Sequence, residues 1–151
     1  MRVFSSISEL AALQGASIGT SDWLTISQEQ VNLFADATGD HQWIHVDPER
    51  AAAGPFGTTI AHGFLTLALL PRLHHSLFRL DGVKMGINYG LNKVRFPAPV
   101  PVGSRLRAKV DVVEVSDLGG GTHQMVLTTT VEVENSAKPA CVAESILRYQ
   151  T

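Results

Sequence analysis

Hydrophobic and polar positions change their spacing once along the chain, between residues 80 and 83. Residues 25–80 carry apolar side chains at helical spacing, whereas residues 83–150 alternate with the period of two that is typical of strands. Helices that precede a block of strands favour an α+β domain. We therefore expect one such domain over residues 1–151, a length that suits a single hydrophobic core.

Two helix starts in the first half are marked by capping residues. Ser27 followed by Gln30 forms a capping box, and Gly39 can end that helix because glycine adopts the left-handed conformation without steric cost. A second, shorter helix fits Asp47 as N-cap, with Pro48 at its first position. The stretch between these two helices is predicted to be irregular.

A third helical stretch, residues 64–78, is apolar on nearly every face. A helix of that kind is usually central and buried. Pro71 lies inside it and lacks the N–H that a helix interior needs, so the stretch is predicted either to kink or to consist of two shorter helices that meet.

The second half alternates and predicts half-buried strands. The apolar positions that share one parity are, strand by strand, Val83, Met85, Ile87, Tyr89 and Leu91; Leu106, Ala108, Val110 and Val112; and Met125, Leu127, Val131 and Val133. Val94 and Phe96 fall on the opposite parity, which predicts a bulge near residues 92–93. Glycines at 119–121 predict a turn, and a last strand fits residues 141–149. These features together predict a long antiparallel sheet wrapped around one apolar helix.

Composition excludes several functional classes. The formal net charge is −2, so no nucleic-acid partner is expected. Cys141 is the only cysteine, which excludes an intrachain disulfide and a multi-cysteine zinc site and predicts an inert buried thiol. The first residues do not resemble a signal peptide, and the longest apolar run, residues 64–70, is too short to cross a bilayer. We therefore expect a cytoplasmic protein with no membrane partner.

Two short segments carry candidate chemistry. Asp40 directly follows the helix-ending glycine, and His45 comes five residues later. A carboxylate and an imidazole around one water suit hydration, because the carboxylate can orient and deprotonate the water and the imidazole can transfer a proton near working pH. Gly63 opens the apolar helix, where free N–H groups and the absence of a side chain would let a ligand carbonyl approach the backbone.

Each candidate also has an ordinary structural interpretation. Asp40 alone would be a turn residue and His45 alone a buried histidine, so their pairing at this spacing carries the functional hypothesis. Asp47 is assigned to capping, and His62 is left to local structure. His41 and His45 would form a metal-binding face only on a helix, which the local pattern argues against, so no metal is expected. One basic stripe is expected on the solvent face of a strand, with binding of coenzyme A phosphates as the alternative: Arg105, Arg107 and Lys109.

These motifs resemble those of the MaoC-like dehydratases, the (R)-specific enoyl-CoA hydratases of the hot-dog fold. The resemblance covers roughly residues 20–150 and is closest to the single-domain branch that includes nodulation protein N-like sequences. It rests on Phe34 and the run Thr38-Gly39-Asp40 with His45, on Ala61-His62-Gly63, and on the strand from Asn88 to Phe96 with the following Pro97. One departure is Gln42-Trp43, which stands where many members carry Asn-Pro and predicts a change in pocket shape.

The resemblance implies reversible syn addition of water to trans-2-enoyl-CoA, giving (R)-3-hydroxyacyl-CoA. Asp40 and His45 would activate the water, and the Gly63 N–H would bind the thioester carbonyl. The resemblance further implies a homodimer, no metal, and no cofactor other than the coenzyme A of the substrate itself. Two alternatives stay open, an acyl-CoA thioesterase of the same fold and a non-catalytic acyl-thioester-binding protein. The absence of Asp and Glu from residues 62–80 disfavours the first, and the Asp40–His45 pair disfavours the second.

Overall fold

Two helices placed end to end pack against a six-stranded sheet in the computed structural model, which describes residues 1–151. The helices are α1 (Ile7–Ala11), α2 (Gln28–Thr38), α3 (Trp43–Val46), α4 (Pro48–Ala52), α5 (Gly63–Ala68) and α6 (Leu70–Leu77). The strands are β1 (Arg2–Phe4), β2 (Ser17–Thr20), β3 (Leu24–Thr25), β4 (Phe78–Leu80), β5 (Met85–Arg95), β6 (Arg105–Gly119), β7 (Thr122–Val133) and β8 (Cys141–Gln150). None of the helices has both the length and the apolar character needed to span a membrane.

The large sheet is antiparallel throughout and has the order β2-β6-β7-β8-β5, with β3 pairing beside β2 on β6. Strands β1 and β4 form a separate parallel pair. One face of the sheet packs on α5 and α6 and supplies much of the core, including Leu106, Ala108, Val110, Val112, Met125, Leu127 and Val131. The predicted α+β class and the alternation of β6 and β7 are therefore confirmed.

The predicted central helix is two helices. Helix α5 ends at Ala68, and α6 begins at Leu70 with Pro71 in its first turn. Proline is tolerated there because the first N–H groups of a helix have no intrahelical acceptor. The predicted burial holds for one face only: Leu65, Leu70 and Leu73 are buried, whereas Phe64 is 71% exposed. Phe78 already belongs to β4.

The prediction of a half-buried strand at residues 85–91 is wrong. Of the five predicted apolar positions, Val83 is half-buried and precedes the strand. The other four are exposed, from 46% for Leu91 to 55% for Tyr89, with Met85 and Ile87 between them. β5 is an edge strand that pairs only with β8, and none of these four side chains packs against the core cluster. Its register shifts twice, once at the predicted bulge near residues 92–93 and once at Tyr89, which the alternation did not indicate. An apolar edge strand is thus left uncovered by the rest of the chain.

The predicted caps are confirmed. The Ser27 hydroxyl accepts from the Gln30 N–H at 3.2 Å, and Gly39 ends α2 with φ 78°. The Asp47 carboxylate accepts from the Arg50 N–H at 3.0 Å and starts α4. The short elements α1, α3 and β1–β4 were not predicted, because each is too short to show a period.

Candidate active site

His45 lies on the one-turn helix α3, so the prediction of an irregular segment is wrong at this residue. Its position is set by two contacts from outside α3. Gln28 donates from Nε2 to the His45 carbonyl at 2.7 Å, and the Ile60 N–H donates to the Ile44 carbonyl at 3.0 Å. Thr59 in turn donates its hydroxyl to the Gln28 side chain. No role was predicted for Gln28 or Thr59, because the contacts that join them to His45 link residues far apart in the sequence.

The His45 ring is buried and its tautomer is fixed by one hydrogen bond. Nδ1 lies 2.7 Å from the Ile60 carbonyl oxygen, and since a carbonyl can only accept, Nδ1 carries the hydrogen. Burial has the largest effect on the pKa of His45 and lowers it, and the neighbouring His62 lowers it further. The hydrogen bond to the Ile60 carbonyl and the charge of Asp40 act in the opposite direction and raise the pKa. The net lowered pKa favours a neutral imidazole with a free lone pair on Nε2.

Asp40 follows the left-handed Gly39, and its side chain is 53% exposed. One carboxylate oxygen accepts from the Gln42 N–H at 3.3 Å. One polar side-chain atom from each of Asp40, His45 and His62 lies within 4.8 Å of the other two. A water that donates both hydrogens at ordinary lengths places its two acceptors about 4.5 Å apart. The structure therefore brings the two predicted residues to a spacing that one water can bridge.

His62 joins this pair, although sequence analysis left it without a role. It is 2% exposed, and its Nε2 lies 2.9 Å from the Asp40 backbone carbonyl. Its ring stacks on His45 with centroids 3.8 Å apart and an interplanar angle of 25°, and Phe34 packs on it at 5.0 Å. Its Nδ1 is buried without a hydrogen-bond partner. The available signal was its place directly before Gly63, at the N-cap of the helix.

The carboxylate and the two imidazoles form a donor set that suits a transition-metal ion. Two features oppose an ion at this point. His62 uses Nε2 to donate to a carbonyl, and nearly parallel stacked rings do not direct their lone pairs at one centre. His41 is absent from the cluster, because it pairs instead with Asp36 at 2.8 Å. The geometry fits a bridging water better than an ion.

Gly63 is the first residue of α5, directly after His62. Its N–H has no acceptor, as expected for a first helical turn. A Cβ at this position would come within 3.1 Å of the Phe96 ring. Because α5 has only six residues, the free donor itself, rather than a long-helix dipole, is what the site offers to a carbonyl.

Trp43 belongs to the Gln42-Trp43 pair that stands where many MaoC-like members carry Asn-Pro. Its ring packs against Gly54, where a Cβ would come within 2.9 Å of it, and the Arg50 guanidinium lies 4.5 Å above the ring centroid. The tryptophan therefore braces α3 against the end of α4.

The basic stripe on β6 is paired with acids. Arg105 binds Glu134, Arg107 binds Glu132 at 2.7 Å, and Lys109 lies 3.9 Å from Asp111. These cross-strand and local pairs favour the solvent-face interpretation over a phosphate site.

An apolar cavity of about 370 Å³ lies between the two central helices and the strands β5 and β8. Its lining includes Leu67, Leu70, His74, Leu91 and Leu147. Neither Asp40 nor His45 lines it. It begins about 6 Å along the helix from Gly63, since Leu67 is four residues further on.

Comparison with known proteins agrees with this architecture. A family model described as "MaoC like domain" matches residues 9–135. The chain is 74% identical over 149 residues to 3-hydroxyacyl-thioester dehydratase Z of Mycobacterium tuberculosis, covering 99% of each, and 48% identical over 143 residues to nodulation protein N of Rhizobium meliloti, covering 93% of this chain and 89% of that one. The solved (R)-hydratase from A. caviae superposes with a TM-score of 0.69 at 26% identity, covering 85% of this chain and 93% of that chain. The chain therefore belongs to the MaoC-like dehydratase family and has its hot-dog fold.

Proposed function

We propose that this protein catalyses the reversible hydration of trans-2-enoyl-CoA to (R)-3-hydroxyacyl-CoA. The observation that carries the proposal is that a carboxylate oxygen of Asp40 and a ring nitrogen of His45 lie within 4.8 Å of each other, in a cluster with His62. That histidine directly precedes Gly63, whose N–H has no acceptor. The names of the relatives, a 3-hydroxyacyl-thioester dehydratase and an (R)-hydratase, support the same reaction type.

The chemistry follows from the tautomer of His45. Its free Nε2 and the Asp40 carboxylate each accept a hydrogen from the bridging water, and one of them takes the proton as the water oxygen bonds to the β-carbon. The π electrons move toward the thioester oxygen, whose developing charge is stabilised by the Gly63 N–H. The same proton then returns to the α-carbon from the same face, which makes the addition syn. No step requires a metal or a separate cofactor.

The acyl chain would enter the cavity between the helices and β5. With the thioester oxygen at Gly63, a chain that follows α5 reaches the cavity at Leu67 within about 6 Å. The lining is mainly apolar, as a hydrocarbon requires. This location supports an acyl thioester over a compact polar substrate.

A homodimer is part of the proposal, because β5 is long, apolar and exposed at the edge of the sheet. Such an edge is an unstable surface in a monomer, and pairing with a second copy covers it. Since β5 also lines the cavity, a partner placed on it would close the acyl site from outside.

The test is an absorbance assay of the enoyl thioester with crotonyl-CoA and longer homologues, with chiral analysis of the product. We expect Asp40→Asn and His45→Gln each to lower kcat by about 100-fold or more. His41→Gln is the matched control, because it replaces a nearby exposed histidine that faces Asp36 instead. A folded Asp40→Asn protein with wild-type activity would refute the assignment.

A thiol reagent added to the same assay distinguishes a thioesterase from a hydratase, because it detects free coenzyme A. A thioesterase releases free coenzyme A from the substrate, whereas a hydratase consumes the double bond and leaves the thioester intact. Release of thiol at the rate of absorbance loss would favour the thioesterase, and binding without either change would favour the acyl-binding protein.

A further inference from the structure

We propose that His62 is a positioning residue for the hydration, holding the backbone of Asp40 and the ring of His45 in one geometry next to the Gly63 amide. The inference rests on the proposed function for its kinetic part and on the contacts of His62 for the rest. His62 contacts both Asp40 and His45 and directly precedes Gly63.

The His62 backbone is itself firmly held. Its carbonyl accepts from the N–H groups of Leu65 and Thr66, each at 3.1 Å, so the first turn of α5 is built on it. A ring attached there moves with the helix that carries Gly63. Any contact of this ring with Asp40 or His45 therefore fixes those residues relative to the proposed carbonyl position.

The contact with Asp40 is a hydrogen bond to its backbone. His62 Nε2 donates to the Asp40 carbonyl at 2.9 Å, across 22 residues of sequence. The other contact to the Asp40 backbone is local and long, between its N–H and the Thr38 hydroxyl at 3.5 Å. The carboxylate is half exposed, and its Oδ2 lies 4.0 Å from the same His62 Nε2. His62 therefore ties Asp40 to the buried part of the site through the backbone bond and this longer contact.

The contact with His45 is the ring stack. The stack covers one face of the His45 ring at 3.8 Å, and Nδ1 of His45 is held at its edge by the Ile60 carbonyl. The titratable groups that act on His45 are His62 from the start of α5 and Asp40 from the preceding loop, and they act in opposite directions. His62 therefore both orients the His45 ring and influences its pKa.

Nδ1 of His62 is buried without a hydrogen-bond partner. A buried polar atom without a partner costs free energy, which a non-polar ring of similar shape would not incur. We therefore infer that an imidazole is present here for geometry rather than for packing. Replacing it with phenylalanine should keep the stack, relieve the unpaired nitrogen and release Asp40.

The experiment compares His62→Phe, which keeps a ring without a donor, with His62→Gln, which keeps an N–H donor without a ring. We expect His62→Phe to lower kcat by about 10- to 100-fold with KM within about threefold, because a misplacement of about 1 Å costs that much. Its melting temperature should not fall. His62→Gln should also lower kcat, because it keeps a donor for Asp40 but removes the ring that stacks on His45. If the phenylalanine variant does not fold, His62→Met replaces it, because methionine fills the space without donating.

A second readout does not depend on turnover. The titration of the His45 ring, followed by NMR and assigned from its absence in His45→Gln, should move to higher pH in His62→Gln, because water reaches the uncovered ring. The NMR titration tests the role of His62 even if the wild type proves inactive on every enoyl thioester. That inactivity would refute the proposed function but not the positioning of His45 by His62. The positioning role is overturned if folded His62→Phe keeps wild-type kcat, if kcat and melting temperature fall together, or if His45 titrates unchanged in His62→Gln.

Discussion

His74 should make the stability of this protein sensitive to mild acid. The side chain is 5% exposed on α6, and burial lowers its pKa from 6.5 to about 4, with a smaller contribution from the neighbouring His75. Between those two pH values the unfolded chain binds a proton that the native ring does not. The contribution to stability is therefore complete above pH 6.5 and is lost as the pH falls toward 4.

The size of the effect follows from the two pKa values. Their separation corresponds to about 3 kcal/mol of unfolding free energy between pH 6.5 and pH 4. The variant that isolates it is His74→Gln, whose amide does not titrate and can still bond to the Thr129 hydroxyl, now 2.9 Å from His74 Nε2. Leucine would be a poorer choice, because it would leave the buried hydroxyl of Thr129 unpaired.

The assay is urea unfolding from pH 4.5 to 8 at one protein concentration, since any dimer makes apparent stability concentration-dependent. The wild-type free energy should fall steeply on acidification, and the curve of His74→Gln should be flatter. The lowered pKa of His45 affects the pH dependence of wild type and variant alike, so its contribution cancels when the two curves are compared. His75→Gln, on the exposed side of the same helix, is the control and should retain most of the wild-type slope. Parallel curves for wild type and His74→Gln would refute the reasoning.

Three further predictions concern the core, the sheet edge and a helix cap. Burial raises the pKa of Cys141 to about 11, so a thiol reagent at pH 8 should label it only in denaturant; rapid labelling of the native protein would contradict this. Ile87→Asp combined with Leu91→Asp should convert the proposed dimer to a monomer in sedimentation. Val113→Asp, at an exposed position of β6, should leave it a dimer, and a dimer in the double variant would place the interface elsewhere. Ser27→Ala should lower the unfolding free energy by about 1 kcal/mol in urea, because the Gln30 N–H loses its acceptor; no change would show that water replaces the cap.

Local signals determined much of this protein from its sequence. The caps of α2 and α4 depend on residues three positions apart, and the alternation along β6 and β7 depends on a fixed period of two. Asp40 and His45 were found for the same reason, since their short separation is visible without a fold. Pro71 likewise indicated a break, although not whether it would be a kink or two helices.

Only the tertiary structure decided the rest. Periodicity shows which side chains share a face but not which strand lies at an edge, so β5 was expected to be half-buried and is exposed. The supports of the site are contacts between distant residues: Gln28 with Thr59, 31 positions apart, and His62 with Asp40, 22 positions apart. Such pairs leave no local pattern, because their partners are chosen by the packing of α2, α3 and α5 on one another. The sequence therefore indicated candidate groups for the chemistry, and the packed chain determined how those groups are held.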